Sequence, residues 1–143
     1  KLIEILERNQ HTIIQDNETM KCDVISRFQG KIYYHETEVN NLWKDDWPSN
    51  YKLIRVFARK YRLVQMYPSG LFFWQFNSDL SQVWKYRGYN LRPEYLKEAV
   101  GKGIKDGEKQ FYIPIRECVL YNTCNDDILN YYKKEVKFRM VYD

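Results

Sequence analysis

Apolar and polar side chains alternate along several stretches of this chain, and that alternation sets most of its expected elements. Met20, Cys22, Val24 and Phe28 alternate with Lys21, Asp23 and Arg27, the period of a half-buried strand. Gln29-Gly30 supplies a two-residue turn into residues 31–35, so 20–35 is predicted to be a hairpin. Residues 53–58 and 61–67 are β-rich, and Pro68-Ser69-Gly70 is the clearest turn in the chain, leading into 71–76. A second hairpin is therefore predicted over 61–76. Residues 110–115 and 118–121 are further strand candidates, separated or bent near Pro114. Val136, Phe138, Met140 and Tyr142 alternate with Lys137 and Arg139, which predicts a last strand over 136–142.

Helical signals are shorter. Leu2, Ile3, Ile5 and Leu6 followed by Glu7 and Arg8 read as the end of a short helix. Asn90-Leu91-Arg92-Pro93-Glu94 reads as a helix start, with Pro tolerated in the first turn. Tyr95, Leu96, Ala99 and Val100 give it an apolar stripe, and Gly101 and Gly103 mark its end, so a helix is expected over 92–100. Asp126 is placed to cap another through Tyr132. Residues 36–50 carry Asp, Asn, Pro and Ser around Trp43 and Trp47, which predicts a loop with both tryptophans folded back onto the core. Hairpins with two or three short helices between and beside them favour one α+β domain over 1–143, built mainly on antiparallel sheet.

Composition narrows the class. With 143 residues, 44% of them apolar, the chain can bury one core. The longest apolar run, Leu71-Phe72-Phe73-Trp74, falls far short of the ~20 residues of a membrane span. The opening Lys1-Leu2-Ile3-Glu4 lacks the apolar stretch of a signal peptide. Cys22, Cys118 and Cys124 form an odd, sparse set without paired spacing, which points to reduced thiols and an intracellular setting, cytoplasm or nucleus.

Catalytic signatures are missing. The two histidines, His11 and His35, are far apart in sequence, and nothing announces a base touching a nucleophile. His35 with Glu36 and Glu38 is the one dense ligand-like cluster. On a strand the two glutamates share a face and His35 takes the other, so the three do not converge, and a solvated hairpin edge explains them. Asp45-Asp46 and Asp126-Asp127 are ordinary turn and cap residues. No Gly-rich phosphate loop is present. No catalytic residue, metal or cofactor is assigned, and a binding module is favoured over an enzyme.

Charge is the unusual feature. Residues 47–93 carry eight Lys/Arg against Asp79 alone, a net +7 in a chain whose total is +4. This third is also aromatic and strand-rich. With Ile54, Val56 and Ala58 inward, Tyr51, Arg55, Phe57 and Arg59 lie outward together. Trp84-Lys85-Tyr86-Arg87-Gly88-Tyr89 repeats the mixture on a predicted loop beside that sheet. Bases stack on exposed rings and cations track phosphates, so single-stranded RNA or DNA, or another polyanion, is the leading partner. Arg55, Arg59, Lys60, Arg62, Lys85, Arg87 and Arg92 are the expected phosphate contacts. Tyr51, Phe57, Trp84, Tyr86 and Tyr89 are the expected stacking platforms. Arg and aromatics are enriched at protein interfaces too, so a protein partner on the same surface is the rival expectation.

Overall fold

A computed structural model describes residues 1–15, 22–101 and 103–124. Met20, Lys21, the predicted 126–132 helix and the predicted 136–142 strand lie outside those residues. The chain opens with α1 (Leu2–Arg8), followed by β1 (Thr12–Gln15). The expected hairpin then forms: β2 (Val24–Phe28) pairs antiparallel with β3 (Lys31–Val39), Phe28 opposite Lys31. Gln29 and Gly30 take φ of 51° and 80°, and two successive positive values are the signature of the turn whose twist matches a two-residue hairpin. β3 runs through Glu36 and Glu38 to Val39, into the segment expected to be loop. Beyond it Trp43 is buried and Trp47 packs on the core, as expected.

β4 (Leu53–Phe57) shows the predicted alternation, with Ile54 and Val56 buried and Leu53 and Arg55 exposed. The next segment corrects the sequence-based expectation. Residues 61–67 are not a strand: α2 (Tyr61–Met66) forms there, burying Leu63 and bringing Val64 and Tyr67 against the core. Those apolar positions stand at helical spacing, three and four apart. The turn at 68–70 leads into β5 (Leu71–Phe76), but β5 pairs parallel with β3, Tyr34 opposite Leu71 and Val39 opposite Phe76. Parallel neighbours need a long crossover, and β4 and α2 fall within it. Gly70 starts this pairing. Its carbonyl accepts from the Tyr34 N–H at 2.8 Å, its φ is +76°, and an added Cβ would stand 2.8 Å from the Ile32 carbonyl oxygen.

β6 (Gln82–Arg87) pairs antiparallel with β5, and β9 (Val119–Asn122) with β6, completing a six-stranded sheet in the order β1-β2-β3-β5-β6-β9. β7 (Leu96–Glu98) and β8 (Lys109–Pro114) join β4 in a second sheet, ordered β4-β8-β7. The expected 92–100 helix is absent: Pro93–Tyr95 makes one 3-10 turn, and Leu96 then pairs with Phe111. An isolated helix that short is marginal, and two interactions outcompete it here. One is pairing with β8. The other is Glu117, which accepts from Asn90, Arg92 and the Tyr95 hydroxyl and pins the segment in an extended course.

The fold is α+β, with the large sheet as its middle layer. Alternate residues of β5 divide between two cores. Leu71 and Phe73 face the small sheet, packing with Ile54, Val56, Phe111 and Ile113. Phe72, Trp74 and Phe76 face the other way and pack with Leu2, Ile5 and Leu6 of α1. Each such large apolar side chain, fully buried, contributes ~1.5–3 kcal/mol, so β5 anchors both layers. Cys22 and Cys118 are buried, Cys124 is exposed, and no disulfide joins any of them among the described residues. Among the described residues no helix is long and apolar enough to cross a membrane.

Candidate functional site

Register dictates which side chains meet on the α1 side of the large sheet. Val24 stands opposite His35, Ser26 opposite Tyr33, His35 beside Phe72, and Phe72 and Trp74 beside Arg87 and Lys85. Opposed residues point to the same face, so all of these share the face that α1 covers. With seven residues, α1 spans only ~10 Å of it. The uncovered part is a cavity of about 340 Å³, lined by His11, Tyr33, His35, Phe72, Lys85 and Arg87 together with neighbours from α1 and β9. A wider groove of about 760 Å³ adjoins it and shares Tyr33, Phe72 and Arg87, adding Lys31, Tyr34, Tyr67 and Tyr89. No Asp or Glu lines either one among the described residues.

Cations and rings are interleaved here. Lys85 Nζ lies 4.7 Å from the Phe72 ring centre and 5.3 Å from that of Trp74. Arg87 Cζ lies 5.2 Å from the Phe72 ring and 5.7 Å from the Tyr89 ring. Those are cation–π distances, which hold the charged heads over the rings. Tyr34 and Tyr67 stack at 4.1 Å, His11 stacks on Phe28 at 4.8 Å, and Tyr89 is 63% exposed at the rim.

Both histidines of the chain sit in one hydrogen-bonded series. Trp74 Nε1–H donates to His35 Nδ1 at 3.0 Å, and an indole nitrogen can only donate. Burial, reinforced by His11 and Lys85 nearby, lowers the His35 pKa to about 3, so the ring is neutral and carries its proton on Nε2. That proton goes to Ser26 Oγ at 2.8 Å. Ser26 is fully buried, and its Oγ lies within hydrogen-bond distance of His11 Nδ1, 2.8 Å away. The His11 pKa is likewise lowered, by burial first and Lys85 second. The series links Trp74, His35, Ser26 and His11. Ser26 is enclosed, which removes it as a nucleophile toward anything in the cavity.

The residues selected from sequence do not form one surface. Lys85, Arg87 and Tyr89 lie in the cavity and groove just described. Trp84 and Tyr86 do not: residues 82–87 are a strand, not a loop, so these two point to the opposite face and are buried between the sheets, 1% and 2% exposed. Neither can be a stacking platform for a ligand, and this corrects their assignment. Tyr51, before β4, is exposed and meets Trp47 edge-on at 6.0 Å, whereas Arg55, Phe57 and Arg59 do share the outer side of the small sheet, far from the α1 face in the layering. There Arg55 donates to the Val100 carbonyl at 3.1 Å, and Arg59 covers Phe57 at 4.4 Å and meets Glu108 at 3.7 Å. Lys60 is ion-paired to Glu36 between the layers, and Arg92 to Glu117 at 3.0 Å. Arg62 is exposed on α2.

His35, Glu36 and Glu38 part company as expected, His35 turning to Ser26 and Glu36 to Lys60. Their setting is the correction: β3 is an interior strand, and His35 and Glu36 are buried rather than on a solvated edge. No cluster of three His, Cys, Asp or Glu side chains able to hold a metal occurs among the described residues. His11, Ser26 and Trp74 were not selected from sequence. A signal for one pair was available: the turn at 29–30 fixes the hairpin register, which sets Ser26 diagonally across from His35. Nothing local announces His11. Compared with protein-family models and with curated proteins, the chain matches none.

Proposed function

We propose that this chain is a non-enzymatic module that binds a single-stranded segment of nucleic acid along the α1 side of its large sheet and around the Leu71 end of β5, beside α2. The observation that carries the proposal is the pair of adjoining cavities, lined by rings and by Lys31, Lys85 and Arg87. Phosphates suit the cations and bases suit the rings, whatever the base sequence. The shared Tyr33, Phe72 and Arg87 make the two cavities one track, longer than a single nucleotide needs. A second reading, a protein partner on the outer side of the small sheet, draws on Leu53, 46% exposed on the same face of β4 as Arg55.

Binding of labelled single-stranded oligonucleotides, followed by anisotropy over a range of salt, separates these. Lys85→Ala and Arg87→Ala are expected to weaken binding to all sequences alike. Each lost phosphate contact should flatten the slope of log affinity against log salt by ~0.7. Tyr89→Ala should cost ~1–3 kcal/mol of binding with the salt slope nearly unchanged. Arg55→Ala and Arg59→Ala should change little. If those two variants carry the loss instead, the site is on the small sheet. If the intact protein binds no more tightly than ~10⁻⁴ M at physiological salt, the nucleic-acid proposal fails and the protein-partner reading takes its place.

A further inference from the structure

Building on that reading, we infer that the α1 end of the track is a subsite for a terminal phosphate monoester, taken by His11 Nε2–H together with Lys85 and Arg87. The track follows β5, from Gly70 and Leu71 in the wide groove to Phe72 and Trp74 in the smaller cavity. Past Trp74 the same face is filled by Phe76 and Val83 packed on Leu2, Ile5 and Leu6. A strand of nucleic acid lying in the track therefore stops there, and the group presented to that end is a chain terminus.

Three donors suited to a phosphate meet at this end. Lys85 and Arg87 are alternate residues of β6, project to the same face, and both lie over Phe72. The His11 ring lines the same cavity, 5.6 Å from the ring of Tyr33 and 6.1 Å from that of His35. What distinguishes His11 from any cavity-lining imidazole is the series behind it. Trp74 can only donate, so His35 donates in turn to Ser26 Oγ, and in the proposed arrangement the Ser26 hydroxyl passes its own hydrogen on to His11 Nδ1. The polar atom left to this ring for a ligand is a donor, Nε2–H. An acceptor-rich oxyanion matches it, and a base edge or an amide does so less well, because neither gathers two cations and an N–H around one group. The cavity of about 340 Å³ has room for a phosphate and its attached sugar. In this arrangement His11 is a specificity residue: Ser26, His35 and Trp74 position it and touch no ligand.

The test compares otherwise identical single strands ending in a 5′-phosphate, a 3′-phosphate or hydroxyls at both ends. One phosphorylated end is expected to bind roughly tenfold more tightly than the hydroxyl-ended strand, the scale of a charge-assisted hydrogen bond. His11→Ala should abolish that preference, so that the three strands bind alike. His11→Gln, which keeps an N–H donor, should restore part of it. Histidine ¹H–¹⁵N spectra of the wild-type protein give a readout that needs no variant. Inorganic phosphate should shift the His11 ring signals, which should show the Nε2–H form beforehand. Strands that bind with equal affinity whatever their ends would overturn the subsite and leave the nucleic-acid proposal standing. If strands fail to bind but phosphate shifts His11, and Lys85→Ala removes that shift, the subsite stands and the nucleic-acid proposal falls. A His11 ring with its proton on Nδ1 would overturn the subsite outright.

Discussion

Trp84→Ala is expected to lower folding stability by ~3–5 kcal/mol, a large share of the ~5–15 kcal/mol that holds a domain of this size together. Trp84 is 1% exposed, and its ring meets Trp47 edge-on at 5.5 Å, which in turn meets Trp43 at 5.1 Å. Truncation leaves a cavity between the two sheets that Trp43 and Trp47, coming from a loop, cannot refill without giving up their own contacts. Among the described residues Trp84 Nε1 has no hydrogen-bond partner. Trp84→Phe therefore removes an unpaired polar group along with some volume, and its cost should be well below that of the alanine variant. Tyr89→Ala, at the exposed rim, should move stability by no more than ~0.5 kcal/mol. Urea titrations of the three variants check this ordering. Trp84→Ala within 1 kcal/mol of wild type would mean that the ring is not packed between the sheets, and the layer assignment would fall with it.

That tryptophan also shows where the sequence was legible and where it was not. Strict alternation identified β4, and its inward Ile54 and Val56 were assigned to the correct side. The same logic applied to residues 82–87 would have put Trp84 and Tyr86 on one face and Lys85 and Arg87 on the other. Expecting a loop there hid the division, because a loop imposes no parity. Residues 61–66 misled for the opposite reason: Tyr, Leu and Val suit strands by composition, and their helical spacing covers too short a span to stand out. The parallel pairing of β3 with β5 had no local signal at all. It joins residues 37 apart, so a sequence containing two good hairpin turns reads as two separate hairpins.

The charge excess was real but its direction was not readable. Lys60 and Arg92 find Glu36 and Glu117, partners 24 and 25 positions away that no helical or strand spacing would pair. What remains useful of the +7 is the part that parity sends to the α1 face. His11 entered the site through β1, whose pairing with β2 sets Thr12 opposite Arg27 and so brings His11 within reach of Ser26. A strand of four residues with one charge-free alternation is below what pattern reading can detect.

Stability is expected to fall steeply as the pH drops from about 6.5 toward 4, and His35 is the main reason. Its pKa is about 3 in the folded protein against an ordinary 6.5, because burial first, then His11 and Lys85, disfavour the charged ring. The folded value is the lower one, so the unfolded chain takes up the proton first. The stabilisation is complete above 6.5 and is lost as pH falls through the interval down to 3. Each proton bound only by the unfolded state makes the slope ~1.4 kcal/mol per pH unit, and the full loss from His35 is on the order of 5 kcal/mol. His11, also lowered, acts in the same direction. Glu36 opposes them: burial raises it despite Lys60, so its protonation favours the folded state as pH falls. Glu117 enters lower down, where burial would raise it but the bonds from Tyr95 and Arg92 together outweigh burial and lower it, so it adds to acid lability only below about 4.5. The window between 6.5 and 4.5 therefore isolates the histidines against Glu36. Urea denaturation at half-unit steps of pH should show the slope in wild type. His35→Gln should be less stable at pH 7, where it weakens the bonds to Ser26 and Trp74, yet flatter across that window, so the two curves converge on acidification. Parallel curves would mean that His35 titrates normally and that the series from Trp74 to His11 does not hold it neutral.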